Sequence, residues 1–593
     1  MSTLYDQIFD PVHHSLGLSA IFAALPLLTV FVLLAVFKLP AQWAALIALA
    51  VSIVVAIAVY SMPVGQTFSA AGEGAAFGLF PIMWIVVNAI WVYTMSVTTG
   101  HFDVLRRSFA TVSPDQRIQA ILIAFCFGAL LEALAGFGTP VAITSVMLLA
   151  LGFSKLKAAT VALVANTAPV AFGAIAVPIT TLAKISNLPE QDLASVVGRQ
   201  TPVLAIFVPL ALVFMVDGRR GLKQTWPVAL LGGAIFGLLQ FLCSNYISIP
   251  LTDIVASLGS AMAVVLLVRV WQPREVLAAD GMSEEDVQTH LAAATASAHA
   301  VELGGGRGAG ADRSPTTSGA RQTASAAAGG PDGGSDAAGM PDGTASDSRG
   351  DIFRAYAPYL IIIVVFAVAQ IGFVTKLLAK GATTFAWPGL HIRTPAGKTP
   401  SAVTFAFAWL PAAGTLLLIS GLLTMIVLRV KPAAAARDYL KTLDQLKWAI
   451  LTVAGVLALA YVMNLSGQTI TIGRWMAGAG GVFALLAPIL GWLGVAVTGS
   501  DTSSNALFGT LQVSAAQQAQ LSPTLMAAAN SSGGVLGKMI SPQNLAIAAA
   551  SVGLAGQEGV ILRRILGWTV GFLLFVCLLV YLQSTSVLSW MLP

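Results

Sequence analysis

Three ionisable residues stand inside long apolar runs: Glu132 in LLEALAGFGTP (130–140), Asp501 in VTGSDTSSNALFG (497–509) and Lys538 in NSSGGVLGKMISPQN (530–544). A charge at bilayer depth costs roughly 2.5 kcal/mol or more unless it is paired or hydrated, so each is a candidate functional group. Asp501 and Lys538 belong to the same half of the chain and are expected to face each other, a titratable carboxylate beside a fixed cation. The competing reading is an ion pair that only fixes one element against another. Gly136, Gly138, Thr139, Asn166 and Thr167 lie near Glu132 in the sequence pattern; Ser500, Thr502, Ser503, Ser504, Asn505, Asn530, Ser531 and Ser532 lie near the other two. Hydroxyls and amides can donate to a carboxylate and accept from an alcohol, which suits a small hydroxy acid. The competing reading is close packing of membrane helices by small residues.

Other chemistry is poorly supplied. The histidines are His13, His14, His101, His290, His299 and His391, all in termini or loops, so any proton carried at depth must ride on a carboxyl, whose neutral form burial favours. Glu132 and Asp501 are therefore the expected proton-coupling residues. Cys126, Cys243 and Cys577 sit in apolar runs without metal-ligand or redox spacing, and neither a disulfide, a metal nor a cofactor is expected.

These residues must be positioned by membrane-spanning elements. Of the 593 residues 57% are hydrophobic and 10% charged, and the mean hydropathy is +0.83. A soluble domain carries about 25% charged residues, so a cytosolic enzyme is excluded, and so is a nucleic-acid-binding protein despite the net charge of +5. A span needs roughly 20 apolar residues. By that criterion the chain makes about twelve crossings, centred on 17–37, 42–61, 76–97, 156–186, 201–217, 226–244, 250–270, 354–375, 403–430, 446–465, 521–552 and 565–585. Two further runs, 118–152 and 477–517, have polar, Gly-rich centres and read as re-entrant hairpins. Residues 273–350 are Gly/Ala-rich and acidic, unable to bury enough apolar surface to order themselves. They read as a disordered cytoplasmic linker between an N-terminal half (1–272) and a C-terminal half (351–593).

The halves repeat one order: spans, a hairpin with a glycine-rich tip, a helix broken by polar residues, then more span. In the first half these are hairpin 118–152 and broken helix 156–186; in the second, hairpin 477–517 and broken helix 521–552. Gly136 precedes Pro169 by nearly the interval that separates Gly499 from Gly533. Lys and Arg concentrate in the short loops of one side only if residues 1–17 lie outside and the hairpins enter from opposite faces. That is an inverted-topology repeat, an all-α integral membrane protein whose broken elements aim half-helix N-termini at a midplane site. MSTLYDQIFDPVHHS has no basic n-region, so the first span is expected to be its own membrane signal.

At the two tips and the two breaks the sequence resembles the bacterial L-lactate permease family, through LLEALAGFGTPVAITSVMLLALGF, ATVALVANTAPVAFGAIAVPITTLA, TGSDTSSNALFGTLQ and NSSGGVLGKMISPQN. The resemblance implies proton-coupled uptake of L-lactate and related small 2-hydroxy monocarboxylates (D-lactate, glycolate) across the bacterial inner membrane, by alternating access. It leaves a homodimer open. It also implies kinship with hairpin-containing carboxylate transporters, several of which use sodium and carry Ser-Asn-Thr at their tips. The tips GFGTP and SDTSSNA match that pattern only in part, and sodium coupling stands as the alternative. An intramembrane hydrolase, a more distant alternative, would need a base at depth that the histidines do not provide.

Overall fold

Inside a bilayer the backbone must bond to itself, so apolar runs become helices. The computed structural model describes residues 4–277 and 348–593, apart from Thr111, Ala135, Phe137, Ala396 and Lys398. Most of the expected linker therefore lies outside the described residues. Among those described, ten helices are long and apolar enough to cross a membrane, or eleven if the bent pair Lys155–Ala165 and Val170–Ser186 counts as one span. The outward faces remain apolar; Leu574 and Leu578, one turn apart, are 63% and 53% exposed. The protein is an all-α, multi-pass membrane protein.

One expected span takes another form, and two others are separated only by a kink. The runs at 201–217 and 226–244 belong to one 53-residue element, Glu190–Leu242, that turns where Asp217 (φ −137°, ψ 17°) and Gly218 (φ 58°, ψ −145°) leave helical geometry. The run at 403–430 is helical only over Ala413–Val427. Thr404–Ala408 is instead a strand, paired antiparallel with Ala382–Ala386, and Phe385, Trp387 and Phe405 pack their rings together there. TFAFA is apolar enough to pass as membrane helix, but its β-branched and aromatic residues also favour a pleated surface.

At each of the two runs expected to be re-entrant, the chain forms a pair of helices joined by a tight turn. The first has arms Gln116–Leu134 and Thr139–Ala150; the second has arms Phe483–Thr498 and Asp501–Gln518. Each reverses through a left-handed glycine, Gly138 at φ 88° and Gly499 at φ 75°, a conformation that costs residues with a Cβ. The first arm is long enough to span, yet the apolar window of Gln116–Leu134 is 100% buried, against 33% for Leu16–Leu34. It is sheathed by protein. Its base is held by Arg117, which is 1% exposed and donates to Asp115 Oδ2 (2.7 Å), Asp217 Oδ2 (3.0 Å), Gln224 Oε1 (2.6 Å) and the Glu275 carbonyl (2.5 Å). The stem of the linker is thus docked on the hairpin base. Hydrogen bonds from Gln224 and Arg220 also hold the exposed Glu275 carboxyl below its ordinary range.

The broken helices pack reciprocally with the hairpins. Gly173–Ser186, beyond the first break, lies on Asp501–Gln518; Pro542–Ser551, beyond the second, lies on Thr139–Ala150. Within the second half, Phe483–Thr498 and Pro523–Gly537 approach so closely that a Cβ on Gly533 would meet the Pro488 backbone. Gly533→Ala should force the pair apart and destabilise the fold by about 1–3 kcal/mol. A lowered melting temperature in detergent would report it; an unchanged one would mean the contact is not tight.

Candidate functional site

The first carboxylate is seated by its own half. Glu132, on the last turns of the first hairpin arm, accepts from Asn166 Nδ2 at the first helix break (Oε2, 3.2 Å). It lies against Gly173, where a Cβ would stand 2.9 Å from Glu132 Oε1. The chain just beyond Gly173 is strained: Ala174, Ile175 and Ala176 all have positive φ (45°, 57° and 59°), costing roughly 1–2 kcal/mol per residue. Strain of this kind persists where the surroundings over-determine it, commonly at functional sites. Lys538, at the second break, donates to Glu132 Oε1. The cation therefore pairs across the two halves, and the expected Asp501–Lys538 ion pair is replaced by a Glu132–Lys538 one. The reason is steric order: Lys538 follows Gly537 at the end of Pro523–Gly537, beside Glu132, whereas Asp501 sits further back along that helix, over Gly534.

The second carboxylate repeats the seating. Asp501 Oδ2 accepts from Ser531 Oγ (2.5 Å) and Asn505 Nδ2 (3.3 Å), and Oδ1 lies over Gly534 where a side chain would otherwise be. Oδ1 is buried and has no hydrogen-bond partner among the described residues; the same is true of Asn166 Oδ1. Each half thus rests one carboxylate on a glycine of its broken helix and ties it to a polar residue at that break.

Both hairpin tips reach the segment after Lys538. Gly138 abuts Asn544, whose Oδ1 would stand 3.3 Å from a Cβ there, and Gly499 abuts Gln543. Gly136 is close to Ala174 and Glu132. Four helix N-termini start at these tips and breaks: Thr139–Ala150, the right-handed part of Gly173–Ser186 that follows its left-handed residues, Asp501–Gln518 capped by Ser500, and Pro542–Ser551 capped by Ser541. Their partial positive charge favours an anion. With Glu132, Asp501 and Lys538 at 3%, 3% and 7% exposed, the site is closed to solvent.

The remaining expected residues divide. Thr139 and Thr502 are half-buried beside the tips, and Ser503 is buried next to Asp501. Ser504, Asn505 and Asn530 satisfy one another: Asn530 Nδ2 donates to Asn505 Oδ1 (2.9 Å), and Ser504 Oγ donates to the Gly491 carbonyl (3.2 Å). Asn505 Nδ2 also reaches the Pro178 carbonyl (3.2 Å), fastening the second hairpin to the first broken helix. Thr167 donates to the Val164 carbonyl (2.7 Å), and Ser532 donates to Gln200 Oε1 (2.6 Å). These groups hold the breaks in place. Other buried polar residues bond at or beside the breaks and are absent from the sequence-based set: Gln200 accepts from Ser532, Gln512 donates to Asn530, Asn544 to the Lys538 carbonyl, and Gln240 to the Ala168 carbonyl and Asp253; Asp253, a carboxylate inside an apolar run, carried the signal that would have found it.

The chain matches the family described as L-lactate permease over residues 19–302 and 334–587. It is 39% identical to glycolate permease GlcA of Escherichia coli (strain K12), with 98% of each chain covered. It is 37% identical to an L-lactate permease of Salmonella typhi, covering 100% of both, and 36% identical to one of Bacillus subtilis (strain 168), covering 99% of this chain and 100% of the relative. The solved YdaH transporter of Alcanivorax borkumensis aligns over 86% of each chain at a TM-score of 0.42 and 13% identity, too distant to bear on the argument. With the family matched over most of its length and relatives aligned end to end, the chain belongs to the L-lactate permease family of membrane transporters.

Proposed function

We infer that the protein takes up lactate and related 2-hydroxy monocarboxylates, glycolate among them, in symport with protons across the bacterial inner membrane. The observation that carries this is the buried Glu132–Lys538 pair at the meeting of both tips and both breaks. An arriving carboxylate competes with Glu132 for Lys538. Once it takes the cation, Glu132 is a buried anion with only Asn166 for support, a costly state that a proton relieves. Asp501, which has no ion pair among the described residues, likewise takes a proton while the substrate anion is bound and gives it up when the anion leaves. Asn166 Oδ1, an unfilled acceptor, is positioned to take a substrate hydroxyl. The names of the relatives support the substrate class, and the helix N-termini support an anion.

The test is uptake of labelled lactate into proteoliposomes under an imposed pH gradient, with and without sodium. Accumulation driven by the pH gradient alone is expected; dependence on sodium would favour the sodium-coupled alternative. The hairpins enter from opposite faces in this reading, with the N-terminus outside. Single cysteines near 115 and 155 should then both label from the cytoplasm, and those near 470 and 520 from outside. Labelling of 115 and 155 from opposite sides would overturn that topology.

A further inference from the structure

A third buried carboxylate stands behind Glu132. Asp253, in the first turn of Thr252–Val270, is 1% exposed. Its Oδ1 accepts from Gln240 Nε2 (2.9 Å), and its Oδ2 is buried without a partner among the described residues. Gln240 has nothing more to offer. Its Nε2 also donates to the Ala168 carbonyl (3.2 Å), a backbone group freed by the first helix break, and its Oε1 accepts from Thr201 Oγ1 (3.1 Å).

The charges around Asp253 are unfavourable to an anion. Thr252–Val270 packs on Gly128–Leu134, which brings Glu132; on Glu190–Leu242, which brings Gln240; on Cys243–Ile247, which brings Cys243; on Ala120–Phe127, whose Cys126 faces Ser260; and on Gly173–Ser186. The basic residue of that last helix, Lys184, is exposed and neighbours Glu73 instead. Lys538 is taken by Glu132. Two carboxyls in one dry region facing one engaged cation cannot both ionise without large cost. The chain leading to Asp253 is meanwhile close to the surface: Tyr246 and Ile247 are 70% and 62% exposed.

We propose that Asp253 is the proton donor to Glu132, loaded from the membrane face at Tyr246–Ser248. While Glu132 is paired with Lys538, Asp253 holds the proton. When substrate takes Lys538, the O–H bond on Asp253 breaks and one forms on Glu132, and Asp253 is reloaded from water. Gln240 is a positioning residue that fixes Asp253 Oδ1 and links it to the helix break. This rests on the proton-coupled reading above.

The experiment compares net, pH-driven lactate uptake with lactate-for-lactate exchange in proteoliposomes, because exchange turns the site over without net proton delivery. In Asp253→Asn the ratio of net uptake to exchange should fall by at least about tenfold, the lower part of the range for a lost proton-transfer group, and Asp253→Glu should restore most of it. Gln240→Met, which keeps the carboxyl but removes its donor, should move the alkaline limb of net uptake to higher pH, since the anion loses its support; a purely structural residue would leave that limb in place. An unchanged ratio in Asp253→Asn, or an unshifted profile in a properly inserted Gln240→Met, overturns the proposal. Wild-type protein that shows no pH-driven accumulation overturns the proton-coupled reading itself, a result distinguishable from either.

Discussion

Lys538→Ala is expected to abolish measurable lactate binding and to lower stability together. The ammonium is the one basic group at the junction of tips and breaks among the described residues, and it is 7% exposed. Removing it takes away the charge that recognises the substrate carboxylate and strands Glu132 as a buried anion with only Asn166 for support. Breaking one side of a buried pair costs about 3–5 kcal/mol. A neutral Glu132 removes that penalty, so Lys538→Met combined with Glu132→Gln should be more stable than Lys538→Ala, yet still fail to bind. Binding measured by scintillation proximity and melting measured in detergent separate the two effects. Binding retained in Lys538→Ala would mean that the helix N-termini alone hold the anion.

Glu132→Gln is expected to uncouple transport. The amide mimics the protonated acid that the substrate-bound state requires, but it can neither take nor release a proton. The ratio of pH-driven uptake to exchange should therefore fall by at least about tenfold, with lactate binding less dependent on pH. Asp501→Asn should fall in the same direction, since Asp501 lies over Gly534 and has, among the described residues, an oxygen without a hydrogen-bond partner and no ion pair. Its Ser531 bond survives in the amide through Oδ1 acceptance after a flip of the side chain. If Asp501→Asn still concentrates lactate at the wild-type rate while Glu132→Gln does not, Asp501 is a structural acid and Glu132 alone carries the coupling.

The class of fold and the chemistry-bearing segments were legible because depth is a strong signal. Glu132, Asp501 and Lys538 stand out against apolar surroundings, and glycines mark both tips. The partners were not legible. Lys538 and Glu132 are 406 residues apart in sequence, and which carboxylate meets the cation depends on how one half docks on the other. Nor does sequence separate a serine that faces substrate from one that fastens a helix: Ser504 and Asn530 look like Ser531 in the sequence, but only Ser531 reaches a carboxylate. Hydropathy also reads strand and helix alike, which is why Thr404–Ala408 passed as membrane span.

The central claim is that substrate displaces Glu132 from Lys538 and that a proton takes the place of the lost cation. Proton uptake on adding lactate to purified protein in weakly buffered solution, followed with a pH indicator, tests it most directly. The account predicts that lactate draws protons onto the wild-type protein and that Glu132→Gln draws fewer at equal occupancy. Lactate binding without proton uptake by the wild type, or undiminished uptake by Glu132→Gln, would contradict it.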